Sequence, residues 1–341
     1  MGKKEDPGSD RGYVTIRDIA ARAGVSANSV SRALNDKGDI GDETKARVRD
    51  IARELGYIRH AAASGLRSGG SRSIGVIVTH IDNAFFSRIL QGITDCASAK
   101  EYTILMLASN EDVETEARNL RLLAAFRVAG ILYIPSRDLE NGIDYSGIQA
   151  PHVEIVRHMP SSTCGYFVSD SRRSGELAAD RLVSSGRKRL SYLGFDERVS
   201  CNRDRLGGYR KKALESGAAL GKGSVRLCGA SAAAAYETMS RWIREGFDYD
   251  GLFVYNDAMA FGAIRALVDS KARVPDDVSV VGHDDIDTAE SFIPRLTTIQ
   301  VPKYRLGFDS AASLLDTIES VNPSRRPERV VYDPELIVRE T

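Results

Sequence analysis

Residues 14–35 read VTIRDIAARAGVSANSVSRALN. Thr15 is a good N-cap, and Asp18 stands in the first turn of the helix it opens. Ile16, Ile19, Ala20 and Ala23 follow at helical spacing and make one apolar stripe. Gly24 supplies a tight turn. Ser26 caps a second helix whose inward residues are Val30, Ala33 and Leu34. A third helix is expected from about Asp42 to Leu55, with Val48, Ile51, Ala52 and Leu55 apolar and Gly56 ending it. Two helices joined by a glycine-containing turn form a helix-turn-helix. The outer face of the second helix carries Ala27, Asn28, Ser31, Arg32 and Asn35, with Ser29 beside them. Such a face fits a major groove, where Asn pairs with adenine and Arg with guanine. Three helices alone leave open a small bundle with a solvated outer face.

The stretch from Val14 to Ser26, followed by Ser29 to Asn35, resembles the headpiece of the lactose-repressor (LacI/GalR) family. Thr44, Val48, Leu55, Gly56 and Tyr57 fit the same pattern. The resemblance implies a head over 13–58 that binds double-stranded operator DNA. It also implies a hinge helix over 59–72 that folds on the operator, with Leu66 wedged into the minor groove and Ala63 and Arg67 beside it. Residues 58–72 read IRHAAASGLRSGGSR, and Gly65, Gly69 and Gly70 make any helix there marginal. The family usually has proline two residues after the tyrosine. Arg59 stands there instead, which removes rigidity and adds a candidate phosphate contact. Residues 1–12 are polar and read as a disordered tail.

From Ile74 onward, short apolar runs alternate with helical stretches. Ile74–Val78, Tyr102–Ala108, Gly130–Ile134, Leu190–Gly194, Gly251–Tyr255 and Val278–Val281 suit buried parallel strands. Phe85–Ala99, Asp112–Arg127, Arg172–Ser185 and Ala258–Ser270 suit helices. This alternation predicts an α/β body of doubly wound parallel sheets, and the strands are too many for one lobe. Two lobes with a cleft are expected over 73–341. The first takes about 73–171 plus 303–330, the second about 172–302 plus 331–341. Ligands in such folds bind at the carboxyl ends of strands. Those ends offer Asp82, Phe85 and Phe86, then Cys201 and Arg205, then Asn256 and Asp257, then Asp284. Aromatic faces, an arginine and carboxamide or carboxylate groups suit a polyhydroxylated ligand. Asn256 or Asp257 as a helix cap, Asp284 as a turn cap, and one of Phe85 and Phe86 as core are the plainer alternatives. Asn256-Asp257-Ala258-Met259-Ala260, Val280 to Asp285, and Leu296-Thr297-Thr298-Ile299 are similar to the family's effector-domain signatures. That likeness implies a periplasmic-binding-protein-like body that binds a small-molecule effector, a sugar in most readings. It departs at Cys201, at Val156, at Gly229-Ala230 and at His283.

Composition bounds the alternatives. The chain has 341 residues, 42% hydrophobic and 28% charged, with net charge zero. Residues 13–72 hold eleven Lys/Arg against seven Asp/Glu, so the basic excess sits at the head. No apolar run approaches the ~20 residues of a membrane span. Cys96, Cys164, Cys201 and Cys228 are scattered, as free thiols in a reducing cytoplasm would be. His60, His80, His152, His158 and His283 show no metal spacing, and no metal or cofactor is expected. No glycine fingerprint follows the first strand and no phosphate loop appears, which argues against an enzyme. A sugar-transport binding protein would share the body but not the head. The expectation is a cytoplasmic homodimeric regulator with no catalytic residues, its two-fold axis matched to a pseudo-palindromic operator.

Overall fold

The computed structural model describes residues 14–57, 71–137, 148–159, 162–218, 220–322 and 324–341. The expected tail at 1–12 and the hinge residues Ala63, Leu66 and Arg67 lie outside the described residues. Two compact units divide at Ser71/Arg72.

The first unit holds three helices, α1 (Ile16–Ala23), α2 (Ala27–Leu34) and α3 (Asp42–Glu54). Thr15 and Asp18 form a reciprocal capping box at the start of α1. The hydroxyl and amide of Thr15 hold the Asp18 carboxyl below the ordinary carboxylate range. Gly24 ends the helix at φ 65°, a left-handed value that costs glycine nothing. Ile19, Ala23, Val30, Ala33, Val48 and Ala52 close over one another as a small core. Small residues dominate it, so the helices cross closely. Beyond α2, Asp36 accepts from Lys45 at 3.1 Å and Arg49 at 2.9 Å, tying the turn to α3.

The second unit contains two six-stranded sheets. The first is built from β1 (Ser73–Val78), β2 (Thr103–Ala108), β3 (Gly130–Tyr133), β4 (His152–Val156), β5 (Gly165–Ser169) and β11 (Arg329–Tyr332), in the order β11-β5-β4-β3-β1-β2. The second is built from β6 (Leu190–Gly194), β7 (Val225–Leu227), β8 (Gly251–Val254), β9 (Ser279–Asp284), β10 (Thr297–Gln300) and β12 (Glu335–Ile337), in the order β12-β10-β9-β8-β6-β7. Every pairing is parallel except β10 with β12. The central strands are apolar along their length because helices cover both faces. α4 (Ala84–Ala99), α5 (Val113–Ala125) and α11 (Lys303–Glu319) serve the first sheet. α6 (Ser171–Ser184), α7 (Ser200–Glu215), α8 (Ala232–Arg244) and α9 (Asp257–Asp269) serve the second, with a short α10 (Thr288–Ser291) near its edge. The chain passes between sheets three times: after β5, after β10, and between β11 and β12. The strand β4 had no apolar run of its own at the sequence level, because His152 and Glu154 interrupt it. The structure buries Glu154, whose carboxylate accepts from the Tyr133 hydroxyl at 2.7 Å and the Met159 amide at 3.0 Å.

One helix crossing positions a cleft residue. α6 and α7 pack backbone to backbone through Gly175 and Gly208. A Cβ at Gly175 would lie 2.0 Å from the Arg205 carbonyl oxygen and 2.6 Å from the Tyr209 amide nitrogen. The close crossing therefore sets where Arg205 stands. Gly175→Ala is expected to lower stability by about 1–3 kcal/mol through overpacking. Gly207→Ala, whose nearest neighbour is a flexible arginine tip at 3.7 Å, should be neutral or slightly stabilising. Chemical denaturation of both variants checks this, and equal midpoints for the two would contradict the crossing.

Candidate functional site

On α2, Ala27, Asn28, Arg32 and Asn35 are exposed and Ser29 is half-buried. Ser31 departs from the expected outer face, since it is buried against the head. Its carbonyl accepts from the Asn35 amide at 2.6 Å, so Asn35 is partly committed to ending its own helix. Arg32 forms an ion pair with Asp39 in the turn that follows. The guanidinium bound to Asp39 holds that carboxyl below its usual range. Both partners are solvent-exposed, and exposed pairs hold each other weakly.

In the second unit, the carboxyl ends of both sheets converge on one cleft, a cavity of about 50 Å³. Its first wall is Phe85 and Phe86 at the start of α4, with Val156 and Arg157 at the end of β4. Asn83 caps α4 by accepting from the Phe85 amide at 3.0 Å, which fixes how both rings enter. Phe85 and Phe86 were expected to divide between cleft and core. Both are buried and both line the cleft, meeting edge to face at 5.2 Å. Its second wall is Cys201 and Arg205 on α7, Tyr255 and Asn256 after β8, and His283 and Asp284 ending β9.

The geometry sorts the expected residues. Arg205, 5% exposed, donates through Nη1 to the Tyr255 carbonyl and lies 4.8 Å from that ring's centroid. Its Nε has no partner. Cys201 Sγ lies 3.3 Å from the Tyr255 hydroxyl. Asn256 faces the cleft and also caps α9, accepting from the Met259 amide at 2.8 Å. Asp284 adopts φ 114°, a strained value for a non-glycine residue. Burial holds His283 neutral by pushing its pKa down to about 4. A neutral ring facing a carboxylate carries its proton on Nδ1, which donates to Asp284 at 2.9 Å. Asp82 is exposed and does not line the cleft; the next residue, Asn83, does. Asp257 does not line it either. Its oxygens accept from Thr298 at 2.6 Å and the Ile286 amide at 3.0 Å, and burial raises its pKa well above the ordinary range. It braces β10 against the loop after β9.

Sequence reading missed Arg157 and Glu111. Arg157, 6% exposed, is held by Glu111 through two bonds of 2.7 and 2.9 Å and by the carbonyls of Pro135 and Ser136. Its Nε, like that of Arg205, is unpaired. The partners are 46 residues apart, so spacing carries no signal for the pair.

These features define a helix-turn-helix head followed by a two-lobed α/β body of the periplasmic-binding type. The model of bacterial regulatory proteins of the lacI family matches residues 15–60, and that of periplasmic binding protein-like domains matches residues 179–341. The chain is 32% identical over 338 residues to the HTH-type transcriptional repressor PurR of Vibrio campbellii, covering 96% of this chain and 98% of that protein. It is 30% identical over 335 residues to the HTH-type transcriptional regulator RegA of Clostridium saccharobutylicum, with 96% and 98% covered. The crystal structure of the Lac repressor dimer bound to operator and the anti-inducer ONPF matches with a TM-score of 0.82 at 26% identity, covering 97% of this chain and 99% of that one. The chain belongs to the lacI family of bacterial regulatory proteins.

Beside the cleft, Glu116 is fully buried. Its Oε2 accepts from the Ser136 amide at 2.7 Å and its Oε1 has no partner. Burial pushes its carboxyl from 4.5 up to about 7. The fold therefore favours the protonated acid. Stability from this group is present below its unfolded pKa and is lost as pH rises through about 7. Glu116→Gln keeps an acceptor for Ser136 and removes the charge. The variant should match the native chain at pH 5 and exceed it by about 1–3 kcal/mol at pH 8. Thermal unfolding across that range decides it, and parallel curves would count against the assignment.

Proposed function

We propose that this chain is a sequence-specific transcriptional repressor whose operator affinity is set by a small polyhydroxylated metabolite, of the sugar class, held between the lobes. The observation that carries the reading is the cleft itself: two arginines, each at most 6% exposed, keep an unpaired Nε at its wall. A buried donor without a protein partner costs about 1–3 kcal/mol, which a polar ligand at that place would offset. Phe85 and Phe86 supply apolar faces for a sugar ring. Family membership supplies the other half, because the head matches a DNA-binding module over residues 15–60. The Lac repressor relative is a dimer on its operator. Carried to this chain, a two-fold dimer places two heads on a pseudo-palindrome. A DNA target also puts the protein in the cytoplasm.

In this mechanism the α2 face reads bases. Arg32 exchanges Asp39 for a guanine edge, and Asn28 reaches a neighbouring base. Ligand between the lobes changes their relative angle and with it the spacing of the two heads. Linkage makes the effect mutual, typically ~1–3 kcal/mol in each direction.

Selection of random duplex DNA with the purified chain at physiological salt, with and without a panel of neutral sugars, tests the core of this reading. A pseudo-palindromic sequence should enrich. Failure of any sequence to outcompete random duplex would falsify it. Arg32→Ala should weaken the selected site by about 1–3 kcal/mol without changing the unfolding midpoint. Gel-shift affinity that equals the native chain would remove Arg32 from the base-reading surface.

A further inference from the structure

One buried cation of the cleft stands without an acid beside it. Among the described residues, no carboxylate lies within 4.0 Å of the Arg205 guanidinium, although only 5% of the residue is exposed. Four acids around the cleft have other partners. Glu111 is held by Arg157. Asp284 is held by His283. Asp285 accepts from Arg339 at 2.7 Å and Gln300 at 2.8 Å. Asp257 accepts from Thr298 and the Ile286 amide, and burial raises its pKa well above the ordinary range. Lys303 is a second buried cation, 9% exposed, whose Nζ donates to the carbonyl oxygens of Asp284 and Asp285 and has the acids Asp284, Asp285 and Asp287 around it. Of the two cleft arginines, Arg157 has Glu111 as its partner, while Arg205 has no carboxylate at ion-pair distance among the described residues. Arg157, Arg205 and Tyr255 line the same cleft.

A lone buried cation costs several kcal/mol unless a counter-charge meets it. A neutral sugar hydroxyl would satisfy the Arg205 Nε and leave the charge open. An acid would satisfy both, through a charge-assisted and forked contact. We infer that the natural ligand carries an acid group, a carboxylate or a phosphate on a sugar-sized frame, and that Arg205 receives it with the Arg157 Nε alongside. The hydroxyls of that frame then fall to Asn256 and to the free oxygen of Asp284. This inference rests on the effector reading and narrows its ligand class.

The full-length chain is tested by thermal unfolding in inorganic phosphate, acetate or chloride at matched ionic strength. Phosphate or acetate should raise the midpoint above chloride, and the larger rise names the acid. Arg205→Gln should abolish that rise while unfolding, in chloride, no lower than the native chain. Arg205→Lys keeps the charge without the fork and should retain the rise at roughly tenfold higher anion concentration. A rise that survives in Arg205→Gln, or no rise over chloride in the native chain, overturns the inference. Glucose, glucuronate and glucose 6-phosphate are then compared on the selected operator. If glucose alone changes operator affinity, the acid is refuted and the effector reading stands. If none changes affinity and no anion moves the midpoint, the effector reading falls with it.

Discussion

A charge taken out of water governs how the body is arranged. Arg157 ends β4 with almost no exposure, and both of its terminal nitrogens are occupied by Glu111 and two backbone carbonyls. Such a pair offsets its desolvation only when geometry is good and the remaining donors are met. The backbone bends to provide that geometry. Asn110 and Glu111 take φ values of 53° and 57°, and Val156 takes 70°. A β-branched residue in that region is strained. The strain lies where strands of the first sheet reach the cleft, a place where local cost serves a site rather than the fold.

The second lobe meets the same cleft with different chemistry. It brings Arg205 with its charge open, and Asp284 held by a neutral histidine. A molecule spanning the walls touches an engaged arginine and two aromatic rings on one side, and an unengaged arginine and a carboxylate on the other. Three backbone crossings join the lobes. The Gly175–Gly208 crossing keeps Arg205 rigid within its own lobe.

Much of this was legible in the chain. The first strand, the capping residues Thr15 and Ser26, and the turn at Gly24 are local consequences of residue type. Arg205 and Asn256 were singled out because strand ends are where doubly wound sheets hold ligands, and both line the cleft. Reading failed where a neighbour in sequence stood in for a neighbour in space. Asp82 was chosen over Asn83, although only the capping amide is turned inward. Asp257 was grouped with Asn256, although its carboxyl faces Thr298 across the sheet. Ser31 shares a helical face with Asn28 on paper, yet the head covers it.

Periodicity and turn chemistry alone determined a helix-turn-helix head, an alternating α/β body and the ends of strands where a ligand belongs. Those follow from interactions within a few residues, which spacing records. Tertiary structure alone decided which charges are paired. Glu111 reaches Arg157 over 46 residues while, among the described residues, no acid reaches Arg205, and a sequence holds no trace of either distance. The energy of a buried charge depends on what lies within about 4 Å of it, and only the folded chain sets that.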